Sequence, residues 1–168
     1  MNENFDAVEL QIIDEFERFL SDVEKHGFSG DSTWTFQLKR RIAKLGERLG
    51  YKVSVGGLGE DFAGEWMYDV VWFVEDEEGC LIKVPLIVES EWDKKYSGIK
   101  YDFEKLLIGN AERRLMICQA KENEIENLFI KLENAIVKFQ ENKNDRFLIV
   151  ILNCSTDDEF HYRTFTKR

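Results

Sequence analysis

The residues of this chain best equipped for chemistry are three acids and a lysine, in the order Asp69, Glu89, Glu91 and Lys105. Asp69 is the one acid in the otherwise apolar run Tyr68-Asp69-Val70-Val71-Trp72. Glu89 and Glu91 close a second apolar run, Leu86-Ile87-Val88-Glu89-Ser90-Glu91-Trp92. If both runs are strands, alternation sends Glu89 and Glu91 to one face and Val88 and Ser90 to the other. Pairing them as a hairpin sets Asp69 opposite the Glu89 end, where three carboxylates would converge. Like charges so close repel unless a cation neutralises them, and hard oxygen donors suit Mg²⁺ or Mn²⁺. Lys105 follows Asp102 by three residues, the spacing of a single helix face. A lysine aimed at a metal-bound water and a phosphate could help hold the attacking hydroxide and stabilise developing charge. The chemistry this adds up to would be phosphodiester hydrolysis. Singly, each residue has a plainer reading: Asp69 as an exposed edge residue, Glu89 and Glu91 as a solvent-facing strand end, Lys105 as a partner for Asp102. Their combination in one order between positions 69 and 105 is more specific than any one of them.

The elements that must position these groups are legible in the apolar periodicity. Phe5, Val8, Ile12, Phe16, Phe19 and Leu20 predict an amphipathic helix over residues 5–25 with an acidic outer face, closed by Gly27 as C-cap. Asp31 or Ser32 is expected to cap a second helix running to Leu49, with Trp34, Leu38, Ile42 and Leu45 on its stripe. A short strand at 51–55 and a Gly-rich connector at 56–64 lead to a strand over 66–75, rich in aromatic and β-branched residues. Asp76 to Gly79 has the chemistry of a hairpin turn, and 81–92 is the returning strand. Pro85, the only proline, puts its early part at an edge or a bulge. A helix over 99–111, a buried strand over 114–118 and a long helix over 122–141 follow. Phe147 to Leu152 (FLIVIL) reads as a strand covered on both faces, and 159–165 as a last strand at an edge. The order α-α-β-β-β-α-β-α-β-β predicts an α/β fold with a mixed central sheet flanked by helices.

The chain has 168 residues, 43% of them apolar and 33% charged, as expected of one globular domain spanning 1–168. No apolar run reaches the ~20 residues of a membrane helix, and nothing at the N-terminus reads as a secretory signal. The odd set Cys80, Cys118 and Cys154 reads as buried free thiols of a reducing cytoplasm, with neither a disulfide framework nor a zinc site. A net charge of −10 argues against a surface that grips nucleic acid all round. That charge is uneven: residues 1–25 carry eight acids against Arg18 and Lys25. Lys39, Arg40, Arg41, Lys44 and Arg48 form a basic block on the second helix, and Lys94, Lys95, Lys100, Lys105, Arg113 and Arg114 form another. Neither His26 nor His161 stands in a triad pattern. Gly56-Gly57-Leu58-Gly59 lacks the Lys-Ser/Thr of a phosphate loop.

A strand Asp, then a strand Glu-x-(Lys or Glu), then a helical Lys resembles the PD-(D/E)xK nuclease superfamily, the restriction-endonuclease-like fold. GEWMYDVVWF, LIVESEW and IKYDFEKLL also resemble a group of small uncharacterised bacterial proteins, over residues 32–120. Residues 1–27 then form an N-terminal helical extension. The resemblance implies that Asp69 and Glu89 bind Mg²⁺ or Mn²⁺ and that DNA, more than RNA, is the substrate. Glu91 stands where the superfamily has its lysine. Members with the lysine moved to the next helix make Lys105 its replacement and leave Glu91 as an assisting ligand or base. An acid or Gln from the preceding helix, Gln37 or Glu47, is expected to join the site. The alternative is an inactive nuclease-like fold kept for binding, with the acidic first helix docking a protein partner or a second copy of the chain.

Overall fold

The structure, a computed structural model, describes residues 4–27, 29–58, 62, 64, 66–140, 145–155 and 158–166. It has four helices and six strands: α1 (Ala7–His26), α2 (Asp31–Arg48), β1 (Lys52–Val55), β2 (Val70–Glu75), β3 (Leu81–Glu91), α3 (Tyr96–Ile108), β4 (Arg113–Ala120), α4 (Glu122–Lys138), β5 (Arg146–Asn153) and β6 (Glu159–Thr166). This is the expected order. The strands lie side by side in the order β1-β2-β3-β4-β5-β6. β1, β2 and β3 form an antiparallel meander, β4 and β5 run parallel to β3, and β6 returns antiparallel at the edge. The fold is α/β, with an open mixed sheet.

Alternation along the strands makes two cores. Val70, Trp72, Leu86, Val88, Leu115, Ile117, Leu148 and Val150 pack beneath α1 and α2. Val71, Phe73, Ile87, Met116, Phe147, Ile149 and Ile151 pack beneath α3 and α4. β5 contributes to both, which is why FLIVIL has no polar interruption. Pro85 is accommodated as its place in the run demands. The β2–β3 register shifts between Trp72 and Val74, and parallel pairing with β4 begins only at Leu86.

The differences from expectation have local causes. β2 starts at Val70 and not at Trp66, because the chain folds back to lay the Trp66 ring on Phe73, centroids 4.5 Å apart. Seven residues of extended strand would separate them by about 23 Å. α2 begins at Asp31 itself, with Gly30 as N-cap and no side-chain cap bond. Gly27 does take the left-handed C-cap conformation (φ 66°). Only Cys118 of the three thiols is buried, and Cys80 is exposed beside the hairpin turn.

The acids of the first helix divide: Asp14, Glu17 and Glu24 are exposed, while others are drawn into the fold. Asp6 caps the helix and pairs with Arg113 and Arg146. Glu9, buried, takes Arg146 at 2.5 Å, and Glu15, also buried, takes Arg48 at 2.5 Å. Asp22 pairs with Arg41 at 2.5 Å. The acidic and basic runs of the sequence therefore neutralise one another across the α1–α2 and α1–sheet contacts. Among the described residues no helix is long and apolar enough to cross a membrane.

Candidate functional site

Asp69 stands one position before β2. Val70 pairs with Val88, so the next step along the hairpin sets the Asp69 backbone across from Glu89. The three carboxylates expected to converge do not gather at one point: Asp69 turns toward α2 and Glu89 lies beneath α3, near enough for the Asp69 charge to act on Glu89. Alternation breaks at the entry to β2: Tyr68 is buried in the α3-side core, and the Asp69 carboxylate reaches toward α2. There its Oδ2 accepts the Ser90 N–H (2.8 Å) and the Ser90 hydroxyl (2.6 Å). Lys39 of α2 places Nζ 2.5 Å from Oδ1.

Glu89 projects to the other face, beneath α3, and is only 3% exposed. Lys105 Nζ lies 2.5 Å from Glu89 Oε1 and 3.3 Å from Asp102 Oδ1, so the helical lysine meets Asp102, as its spacing predicts, and also Glu89, which the spacing does not specify. The ammonium approaches Oε1 off the hydrogen-bonding direction, which leaves that buried oxygen without an aligned donor. Burial pushes the Glu89 carboxyl up to about 7, the nearby Asp69 charge adds to this, and Lys105 opposes it. Lys105 feels the same pair from its more exposed end. Partial burial disfavours its charge, but Glu89 and Asp102 outweigh that and hold its pKa above the ordinary lysine value. The desolvation cost thus falls on the deeper partner. The Tyr68 hydroxyl donates to the Lys105 carbonyl (3.4 Å), and burial followed by the Glu89 charge raises its pKa.

Glu91 shares the Glu89 face but is held apart from it. Its Oε1 accepts the Asp93 N–H (2.7 Å), and its Oε2 lies 3.0 Å from where a Cβ on Gly98 would stand. It lies against the first turn of α3, where the glycine makes room. Among the described residues no three of His, Cys, Asp or Glu stand close enough to hold a metal together. Neither candidate from α2 joins the acids. Glu47 is exposed near the helix's end, and Gln37, two residues from Lys39, is turned about 200° around the axis from it. Instead of an acid or an amide, α2 supplies a lysine.

Lys39 and Ser90 are the site residues that sequence reasoning missed. Lys39 was visible only as the first member of a basic block. Its place beside Leu38, at the margin of the apolar stripe, was the signal that it could reach the sheet.

Asp69 and Glu89 are the two protein oxygen donors that could share a divalent cation. Mg²⁺ is commonly held by one or two carboxylates, with water and substrate phosphate completing its shell. Glu89 could serve in that role by sharing its carboxylate with Lys105, whereas the diverted Glu91 could not. No known protein family matches the chain, nor does any curated protein or solved structure.

Proposed function

We propose that this protein is a Mg²⁺-dependent phosphodiester hydrolase acting on DNA, in the manner of the PD-(D/E)xK superfamily that its motifs resemble. The observation that carries the reading is Glu89, a carboxylate sunk beneath α3 with a lysine on one oxygen and a second acid across the strand. A buried ion pair is seldom the most stable filling for such a space, and an apolar side chain would serve packing better. Strongly perturbed carboxyl groups collect where chemistry is done. Support also comes from the order of parts, with the acid before β2, the acid on β3 and the lysine on α3 following the motif order, and from the contact of Lys105 with Glu89.

In this reading Asp69 and Glu89 hold the cation, Ser90 and Lys39 orient Asp69, and Lys105 steadies the phosphate and the attacking water. The bound cation would polarise the phosphoryl oxygen and lower the pKa of that water.

The test is a Mn²⁺ titration by calorimetry, followed by a cleavage panel of duplex and single-stranded DNA. Saturable binding lost in Asp69→Ala/Glu89→Ala, with cleavage lost in Lys105→Ala at an unchanged melting temperature, is the expected result. Cleavage that persists in both the double variant and Lys105→Ala overturns the reading.

A second reading, a nuclease-like fold retained for binding, draws on the two ion pairs Lys39–Asp69 and Lys105–Glu89. Each acid already has a cation of its own, so the arrangement is neutral without metal. Flat titrations of both proteins would favour it. In that reading a partner docking on α1 would meet its exposed acids Asp14, Glu17 and Glu24.

A further inference from the structure

The charge of this chain is acidic overall, yet one groove reverses the sign. Between α3 and α4 lie two cavities of about 510 Å³ and 460 Å³, which share Glu104, Leu107 and Phe139 and so form one continuous channel. Among the described residues its lysines are Lys100, Lys105, Lys131 and Lys138, and its only acid is Glu104. Lys100 pairs with that acid at 2.5 Å, while Lys131 and Lys138 form no ion pair among the described residues. Aromatic surface is interleaved with the charge. Tyr96 carries Lys131 over its ring, 4.7 Å from the centroid. Tyr101 is 69% exposed and Ile108 is 73% exposed beside it. An apolar side chain left this open on a well-packed helix has no role in the core. The channel leads to Lys105, whose ammonium rests on Glu89.

We infer that this groove is the track for a single DNA strand running to the candidate site. The inference rests on the hydrolase reading for its destination but not for its chemistry. Lysines spaced along a groove neutralise successive phosphates, and the exposed Tyr101 ring offers a stacking surface to a base. A duplex presents its phosphates but hides its base faces, so the apolar walls at Tyr101, Leu107 and Ile108 gain nothing from it. An unpaired strand engages both. The negative charge elsewhere then repels nucleic acid from the rest of the surface and concentrates binding here.

The experiment is fluorescence anisotropy of the full chain with labelled oligothymidylate, in EDTA so that no cleavage occurs. A duplex of the same length and an abasic strand of the same charge run beside it. Oligothymidylate should bind more tightly than either. Tyr101→Ala should weaken it by roughly tenfold, in line with ~1–3 kcal/mol per stacked base. Lys131→Ala and Lys138→Ala should each flatten the slope of log K against log salt by about 0.7. Equal binding of duplex or abasic strand, unchanged affinity in these surface variants, or no binding overturns the inference. The two readings fail separately. Strand binding with no metal-dependent cleavage removes the hydrolase and leaves the groove, while cleavage without strand preference does the reverse.

Discussion

Glu89 shows how burial sets the behaviour of one side chain. An ordinary glutamate titrates near 4.5, and beneath α3 this one is pushed up to about 7. In that window the folded state binds more protons than the unfolded chain, so the sign of the linkage is negative and stability falls as pH rises from 4.5 to 7. Above 7 the contribution is constant and unfavourable. Glu89→Gln removes the titration. We expect the variant to gain stability relative to the parent as pH rises through that window, measured as the difference in urea midpoint at pH 5 and pH 8. A difference that does not change with pH would mean that Lys105 fully compensates the buried charge. The same substitution should abolish any metal-dependent cleavage, which separates a costly functional group from a merely structural one.

At the scale of elements, the approach of α2 to the sheet decides whether Lys39 can reach Asp69. The contact is made by a glycine. A Cβ on Gly46 would stand 2.5 Å from Trp72 Nε1 and 2.7 Å from Cδ1. The Trp72 indole is fully buried and donates to the Ile42 carbonyl at 3.1 Å, so it cannot turn aside cheaply. Gly46→Ala should therefore cost ~1–3 kcal/mol through overpacking, despite the better helix propensity of alanine. A neutral or stabilising outcome in chemical denaturation would show that α2 can shift without loss. α3 is fixed by different means. Arg114, 1% exposed, donates to the carbonyls of Leu106 and Gly109 at the end of α3 and to that of Ala111 just beyond. It pairs with Asp145 at 2.9 Å and lies over the Phe147 ring. An arginine from one of the basic sets thus satisfies a helix terminus and holds the helix that carries Lys105.

At the scale of the whole molecule, charge that looks unbalanced along the chain is balanced in space. Arg146 at the start of β5 reaches Glu9 with two nitrogens, at 2.8 and 2.5 Å, and donates to the Asn4 carbonyl and the Thr166 hydroxyl. Glu9 also accepts the Thr164 hydroxyl and closes the capping box with Asp6. These contacts tie the first helix to the last strands, away from the candidate site. Arg146→Ala leaves Glu9 buried and short of its cation, so a loss of ~3–5 kcal/mol is expected, read as a lower urea midpoint. A loss within ~0.5 kcal/mol would mean that the helix is held by its apolar face alone. Asp6 adds an acid limb. Partial burial works against its charge, but the Glu9 N–H, Arg113 and Arg146 outweigh that and hold its pKa below 3.8. Its contribution is complete above that value and is lost as pH falls through the lower, folded one.

Periodicity alone determined the element order, the two-faced burial of FLIVIL, the hairpin at Asp76–Gly79, the bulge at Pro85 and the edge position of β6. Those features depend on neighbours close in sequence, through alternation, turn chemistry and the missing N–H of proline. The pairing of Lys105 with Asp102 was likewise foreshadowed by spacing, while its contact with Glu89 was not. What only the tertiary structure decided is where charges separated along the chain find one another. Lys39 with Asp69, Arg146 with Glu9 and Arg48 with Glu15 are meetings across helix-to-sheet and helix-to-helix contacts, and no local rule specifies their partners. The same holds for the split between Asp69 and Glu89. The break in alternation that buries Tyr68 on the α3 side sends the Asp69 carboxylate toward Lys39 of α2, and the linear pattern does not encode it.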